Sequence, residues 1–314
     1  MNLLYSFSVG GLKCHALEGG LQRLDGGAMF GVVPKPLWQR RIAPDERNRI
    51  PLGLRCLLVE HPVGLVLIDS GIGNKEDTKF REIYGVENQG KQGATQLEDA
   101  MLAAGYRPED VELVINTHLH FDHAGGNTRT GGQAGGRAGG QDETSSEPSP
   151  SDRQTVRPTF ANATYVVQKA ELEFARHTNE RTRASYLPHN FEPIAAAGKW
   201  RLVEGEGEIV PGISARLTPG HVPWHQSIVV HDRGETAVFL GDVTPTSAHL
   251  PLPWIMGYDL EPLRTLESKR ALLGEAAANG WLLIFEHDPE VIMGRAARGG
   301  RETELIEPVK VTRA

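Results

Sequence analysis

Short apolar runs closed by turn residues recur along the chain. They predict buried strands at Arg55–Glu60, Leu65–Asp69, Val111–Asn116, Ala163–Gln168, Gln226–His231, Thr236–Asp242 and Leu282–Glu286. Between them the apolar period changes to that of a helix. Thr95–Ala104 puts Leu97, Met101 and Leu102 on one face and stops at Gly105, and Lys169–His177 is a second helix. Glu261–Asn279 carries Leu263, Leu266, Leu272 and Leu273 and terminates at Gly280. Strands in both halves of the chain with helices between them predict an α+β fold, two packed sheets with helices outside.

The stretch 127–158 departs from this pattern. It consists of Gly, Ser, Gln, Thr, Pro and charged residues, with Val156 as its one large aliphatic side chain. Such a segment buries too little apolar surface to offset its ordering entropy, which predicts a mobile surface insertion. A linker between domains is the competing reading. The insertion within a single domain, 1–314, is preferred because residues that must converge on one site lie on both sides of it. No internal repeat is visible.

Composition narrows the function classes. A net charge of −7 with no clustered Lys and Arg argues against a nucleic-acid surface. No apolar run reaches the length of a membrane span, and Met1–Gly11 lacks the basic start and apolar core of a signal peptide. These features predict a cytoplasmic chain. Cys14 and Cys56, the two cysteines, sit in apolar, strand-like contexts and read as buried thiols.

The chemistry concentrates just past the Val111–Asn116 run. His118-Leu119-His120-Phe121-Asp122-His123 places three imidazoles and a carboxylate within six residues. A lone His near a strand end is usually a satisfied polar residue. This cluster, buried without a partner, would leave several unpaired polar groups, whereas a transition-metal site requires such a set. Further donors stand at strand ends later in the chain: His221 after Leu217-Thr218-Pro219-Gly220, Asp242 after Thr236–Gly241, and His287 after Leu282–Glu286.

This order, H-x-H-x-D-H followed by His, Asp and His, resembles the metallo-β-lactamase superfamily over nearly the whole chain outside the insertion. The resemblance implies a four-layer αββα sandwich and two divalent metal ions. His118, His120 and His221 would hold one metal, Asp122, His123 and His287 the other, and Asp242 would bridge them. A histidine at 120, where diiron redox members carry glutamate, favours hydrolysis. Donors of nitrogen and oxygen without thiolate suit zinc, with Mn, Fe and Co as alternatives. Two divalent ions outweigh two aspartates, so the site keeps a positive charge that would bring a bridging water to a pKa of about 7 and supply hydroxide. Asp122 would carry a proton to the leaving group. Asp69, in Leu67-Ile68-Asp69-Ser70-Gly71, matches the family's early aspartate that orients a ligand histidine, although Asp-Ser-Gly is also ordinary turn chemistry.

Leu24–Trp38, His118–Gly126 and Asp242–His249 resemble the quorum-quenching N-acyl-homoserine lactonases of the YtnP type. Pro219–His225 departs from those enzymes, replacing more polar residues. The implied reaction is opening of an acyl-lactone ring by a metal-bridging hydroxide, with a small-molecule ester or lactone as the partner and a homodimer as the assembly. A phosphotriesterase or phosphodiesterase, or a thioesterase, on the same metal pair is the alternative. Met29, Phe30, Trp38, Trp224, Leu250, Leu252, Trp254 and Ile255 flank the motifs and form either an apolar substrate wall or core and interface. Tyr186 is either a donor to the lactone carbonyl or a buried tyrosine with its own partner. His249 is either a pocket residue or a loop histidine.

Overall fold

The computed structural model describes residues 2–131, 155–300 and 302–311. The first sheet begins with a meander of β1 (Leu4–Val9), β2 (Leu12–Asp25), β3 (Arg49–His61) and β4 (Gly64–Ile68), all antiparallel neighbours. β5 (Val111–Ile115) then pairs in parallel with β4. A short antiparallel pair, β6 (Thr128–Thr130) with β7 (Val156–Pro158), stands apart. β8 (Thr164–Gln168) and β9 (Trp200–Val203) complete seven strands by parallel pairing. The second sheet takes β10 (Gly207–Val210), β11 (Ile213–Leu217), β12 (Gln226–Asp232), β13 (Glu235–Phe239), β14 (Leu282–Ile284), β15 (Val291–Gly299) and β16 (Glu302–Lys310) in sequence order. Its pairs are antiparallel except β13 with β14.

The helices in chain order are α1 (Gly26–Phe30), α2 (Lys35–Trp38), α3 (Thr78–Ile83), α4 (Gln96–Ala103), α5 (Phe121–Ala124), α6 (Lys169–Arg176), α7 (Glu192–Ala196) and α8 (Pro262–Asn279). Leu57, Val66, Ile115 and Val166 of the first sheet meet Ile213, Ile228, Phe239 and Ile284 of the second in the central core. Alternation along each strand sends the other side chains outward. Leu17, Leu58 and Leu67 pack with Leu97 and Met101 of α4, and Val238 and Leu283 pack with Leu272 and Leu273 of α8. Helix, sheet, sheet and helix thus stack in four layers, as the resemblance implies.

All seven expected strands are present, as are the three expected helices. Thr95 caps α4 by accepting the Glu98 N–H at 3.3 Å, and Gly280 ends α8 in the left-handed conformation at φ 65°. The core face of α8 differs from the expectation. Leu263 is exposed, while Lys269 is buried and donates to the carbonyls of Pro251 and Trp254, each at 2.8 Å. The ends of the stretch expected to be mobile are instead ordered, since Asn127 is buried and both ends of 127–158 form the β6–β7 pair. Its interior, 132–154, lies outside the described residues. Cys14 and Cys56 are free and buried, and burial pushes the Cys14 thiol up to about 12. Among the described residues, no helix is long and apolar enough to cross a membrane.

Candidate metal centre

Four strands that run the same way, β5, β11, β13 and β14, each release a loop at the same edge of the sandwich. His118 follows β5, and α5 carries Asp122 and His123. His221 follows β11, Asp242 follows β13, and His287 follows β14. The turn into Asp242 requires glycine: at Gly241, φ is 56° and a Cβ would lie 2.7 Å from His225 Nε2.

All seven residues singled out from the sequence converge. His118, His120, His221 and Asp242 form one group with donor atoms within 4.8 Å of one another, and Asp122, His123 and His287 form a second. Asp242 joins the groups. Its Oδ2 lies 3.1 Å from His221 Nε2 and its Oδ1 lies 3.1 Å from His287 Nε2. His123 Nε2 is 3.5 Å from the same carboxylate. His120 is half-buried and the other six are buried.

The outer partners of the imidazoles fix their tautomers. His287 Nδ1 donates to the Gly53 carbonyl at 2.7 Å, His123 Nδ1 to Asp69 at 3.0 Å, and His221 Nδ1 to Asp259 at 2.9 Å. The Thr117 hydroxyl donates to Asp69 at 2.6 Å, so at 3.1 Å it accepts from His118 Nδ1. In their neutral form these four rings therefore turn bare Nε2 lone pairs inward. His287 Nε2 and His123 Nε2 nonetheless face each other at 3.2 Å, and His118 Nε2 is buried without a partner. Lone pairs and carboxylate oxygens converging in this way demand a positive charge between them.

The titration behaviour follows from the same crowding. For His123 and His287, burial is outweighed by nearby carboxylates, Glu286 foremost for His123 and Asp242 for His287. His123 is raised well above the usual imidazole range and His287 to about 9. For His118 and His120, burial and neighbouring imidazoles act together and hold both well below that range. Asp242 is depressed: the surrounding histidines overcome the effect of its burial.

Asp69 has the orienting geometry rather than that of a simple turn. It is fully buried at φ 55°, and it accepts from Thr117 N–H at 2.8 Å as well as from the two groups above. Several residues that secure the site carried no sequence signal. Glu286 lies 3.0 Å from His123 Nδ1, and burial pushes its carboxyl up to about 8. His225 Nε2 accepts the Asp242 N–H at 3.0 Å, and Gln22 donates to Asp122. Glu171 on α6 accepts the Leu119 N–H at 3.0 Å and the Tyr186 hydroxyl at 2.9 Å. His225 lies in the motif noted above, but nothing in the sequence marks it as the acceptor for Asp242.

A cavity of about 440 Å³ opens over the cluster, lined by His120, Asp122, His221, Asp242 and His287. Its apolar wall is Leu24, Met29, Leu52, Tyr84, Phe121 and Met256, with Tyr258 and Leu260 beyond them. Of the wall expected from sequence only Met29 takes part. Phe30 stacks on Trp38 at 5.3 Å and meets Trp254 edge-on at 5.7 Å, so these aromatics satisfy one another in a separate core. Trp224 and Leu252 line other surface hollows, Leu250 packs against the α8 layer, and Ile255 is absent from the lining. Tyr186 is buried with its hydroxyl on Glu171, and its ring lies 4.7 Å from that of His120. His249 is a core residue, stacked on Phe30 at 4.5 Å and bonded to the Met29 carbonyl at 2.9 Å.

The family model described as the metallo-beta-lactamase superfamily matches residues 51–287. The chain belongs to the metallo-beta-lactamase superfamily. Among its curated relatives, a Bacillus N-acyl homoserine lactonase is 27% identical over 79% of this chain and 86% of its own length. The N-acyl homoserine lactonase AttM of Agrobacterium fabrum is 26% identical over 74% of this chain and 81% of its own. A structure described as a probable metal-dependent hydrolase from Staphylococcus aureus superposes with a TM-score of 0.81 at 29% identity, covering 98% of this chain and 99% of that one. AidC, a dizinc quorum-quenching lactonase, shares the superfamily fold, with a TM-score of 0.76 at 17% identity and full coverage of both chains.

Proposed function

We propose that the chain is a dinuclear metal-dependent hydrolase that opens the ring of N-acyl-homoserine lactones. In this reading His118, His120 and His221 hold one divalent cation, Asp122, His123 and His287 hold the other, and Asp242 serves both. The observation that carries it is the Asp242 carboxylate, whose two oxygens lie 3.1 Å from donors of the two groups. The fit to metal rests on the lone pairs that the neutral rings turn inward and on the partnerless His118 Nε2. Nitrogen and oxygen donors without thiolate favour zinc. When bound, such a pair supplies Lewis acidity toward a carbonyl oxygen and makes water acidic enough to ionise near neutral pH.

The rest of the reaction falls to the chain's own residues. Asp122 lines the cavity and is oriented by Gln22, which suits it to receive a proton and pass it to the departing alcohol. The apolar wall from Leu24 to Leu260 accommodates an acyl chain and keeps bulk water from the reacting ester. The lactonase relatives support the lactone as substrate, and the cavity's apolar character supports the acyl chain.

Elemental analysis and an activity panel test this reading together. The purified chain is expected to carry two metal equivalents and to open acyl-homoserine lactones with proton release. His118→Ala and Asp242→Ala are each expected to lose metal and to lower kcat/KM by about a thousandfold or more, because several kcal/mol of electrostatic stabilisation disappear. Faster turnover of paraoxon or of thioesters than of any lactone would replace the substrate assignment. Full activity in either variant would overturn the ligand set.

A further inference from the structure

Folding gathers positive charge that is dispersed along the sequence. Arg23 on β2, Arg47 just before β3, Arg49 at its start, and Lys79 and Arg81 on α3 line one hollow of about 570 Å³. In a chain of net charge −7 this runs against the overall balance. Neutralisation within the hollow is incomplete. Glu87 pairs with Arg23 at 2.9 Å, and Asp45 pairs with Arg49 at 3.0 Å. Arg81 donates to Asn88 Oδ1 at 3.0 Å and to the Val86 carbonyl at 3.5 Å, neutral acceptors that leave its charge uncompensated. The side chains of Arg47 and Lys79 have neither ion pair nor hydrogen bond among the described residues. Even with Glu82 counted, three carboxylates face five cations.

We infer that this hollow is a binding site for a small organic molecule carrying one phosphate group. Its size falls in the range of small-molecule sites, roughly 300–1,000 Å³. Guanidinium forks match phosphate oxygens in geometry, and the lysine adds a mobile point charge. The excess of two positive charges matches one phosphate monoester, which carries about −1.5 to −2 at neutral pH. Ile83, half exposed in the same lining, offers an apolar face to the carbon skeleton. The site is separate from the metal centre but shares a wall with its cavity. Leu24 and Tyr84 line the cavity over the metal ligands, each one residue past a residue of the hollow, and Arg23 N–H donates to the Tyr84 carbonyl at 2.7 Å.

Calorimetric titration of the metal-loaded full chain with fructose 6-phosphate, a weak chelator, tests the site, with unphosphorylated fructose as the control. The sugar phosphate is expected to bind saturably and fructose not at all. In the Arg47→Ala/Lys79→Ala double variant the affinity is expected to fall about tenfold or more, since two charge-assisted contacts are lost. Metal content and basal hydrolysis should not change, because neither residue lines the catalytic cavity. Equal affinity in both proteins, or no binding by the unmodified chain at millimolar sugar phosphate, overturns the inference.

Discussion

Each imidazole at the metal centre is held by what lies behind it, and Asp69 stands behind two of them. Its carboxylate takes the Nδ1 proton of His123 directly and the hydroxyl proton of Thr117, which in turn accepts from His118. Losing that carboxylate frees both rings to rotate while leaving every proposed ligand in place. Asp69→Ala is therefore expected to weaken metal retention by about ten- to a hundredfold under chelator challenge, with an unchanged circular dichroism spectrum. Unaltered metal retention would contradict the orienting role. At this scale the proposed ligands and Asp69 were legible and the other supports were not. His118–His123 announce themselves by proximity in sequence, whereas Gln22 reaches Asp122 across 100 residues and Asp259 reaches His221 across 38. A single polar residue in an otherwise ordinary strand or loop gives no sign of so distant a partner.

Between elements, α6 contributes one buried carboxylate to the loop after β5. Glu171 holds Leu119, the residue between two proposed ligands, and its second oxygen has no partner among the described residues. Burial pushes its carboxyl from 4.5 up to about 7. Because the folded value lies above the unfolded one, the folded chain keeps this proton where the unfolded chain has lost it. Stability from this group is thus greatest below about pH 4.5 and declines as pH rises toward 7. Glu171→Gln should remove that decline, so the melting temperature of the metal-loaded variant should vary less with pH across this window than that of the parent. A parallel pair of curves would show that Glu171 does not titrate there. The buried strands were readable because they are continuous apolar runs. β2, β15 and β16 were not, since Gly19-Gly20, Arg295 and the Glu residues of β16 interrupt any such run.

Across the whole molecule, the two sheets are fastened beside the metal centre by Arg55. This fully buried side chain pairs with Glu18 at 2.7 Å and donates to the carbonyls of Phe285, Asp288 and Val291. The backbone adds Gly53 N–H to the His287 carbonyl at 2.9 Å. Arg55→Met would leave Glu18 buried without its counter-charge, for an expected loss of about 3–5 kcal/mol in denaturant unfolding. Adding Glu18→Gln should recover part of that loss; failure to do so would assign the cost to the missing carbonyl contacts.

The β6–β7 pair has a consequence for how the chain tolerates change. Gly131 N–H meets the Thr155 carbonyl at 3.3 Å, so these two residues lie side by side at the end of the pair. Any length of polypeptide that can return to that point satisfies the same seam, and each doubling of its length adds only about 0.6 kcal/mol of closure entropy. Asn127 and Thr159, just inside the seam, are joined by a 2.9 Å backbone bond that does not depend on what is spliced between. Replacing the sequence between Gly131 and Thr155 is thus expected to leave the melting temperature nearly unchanged, and a large drop would show that the seam does not close on its own.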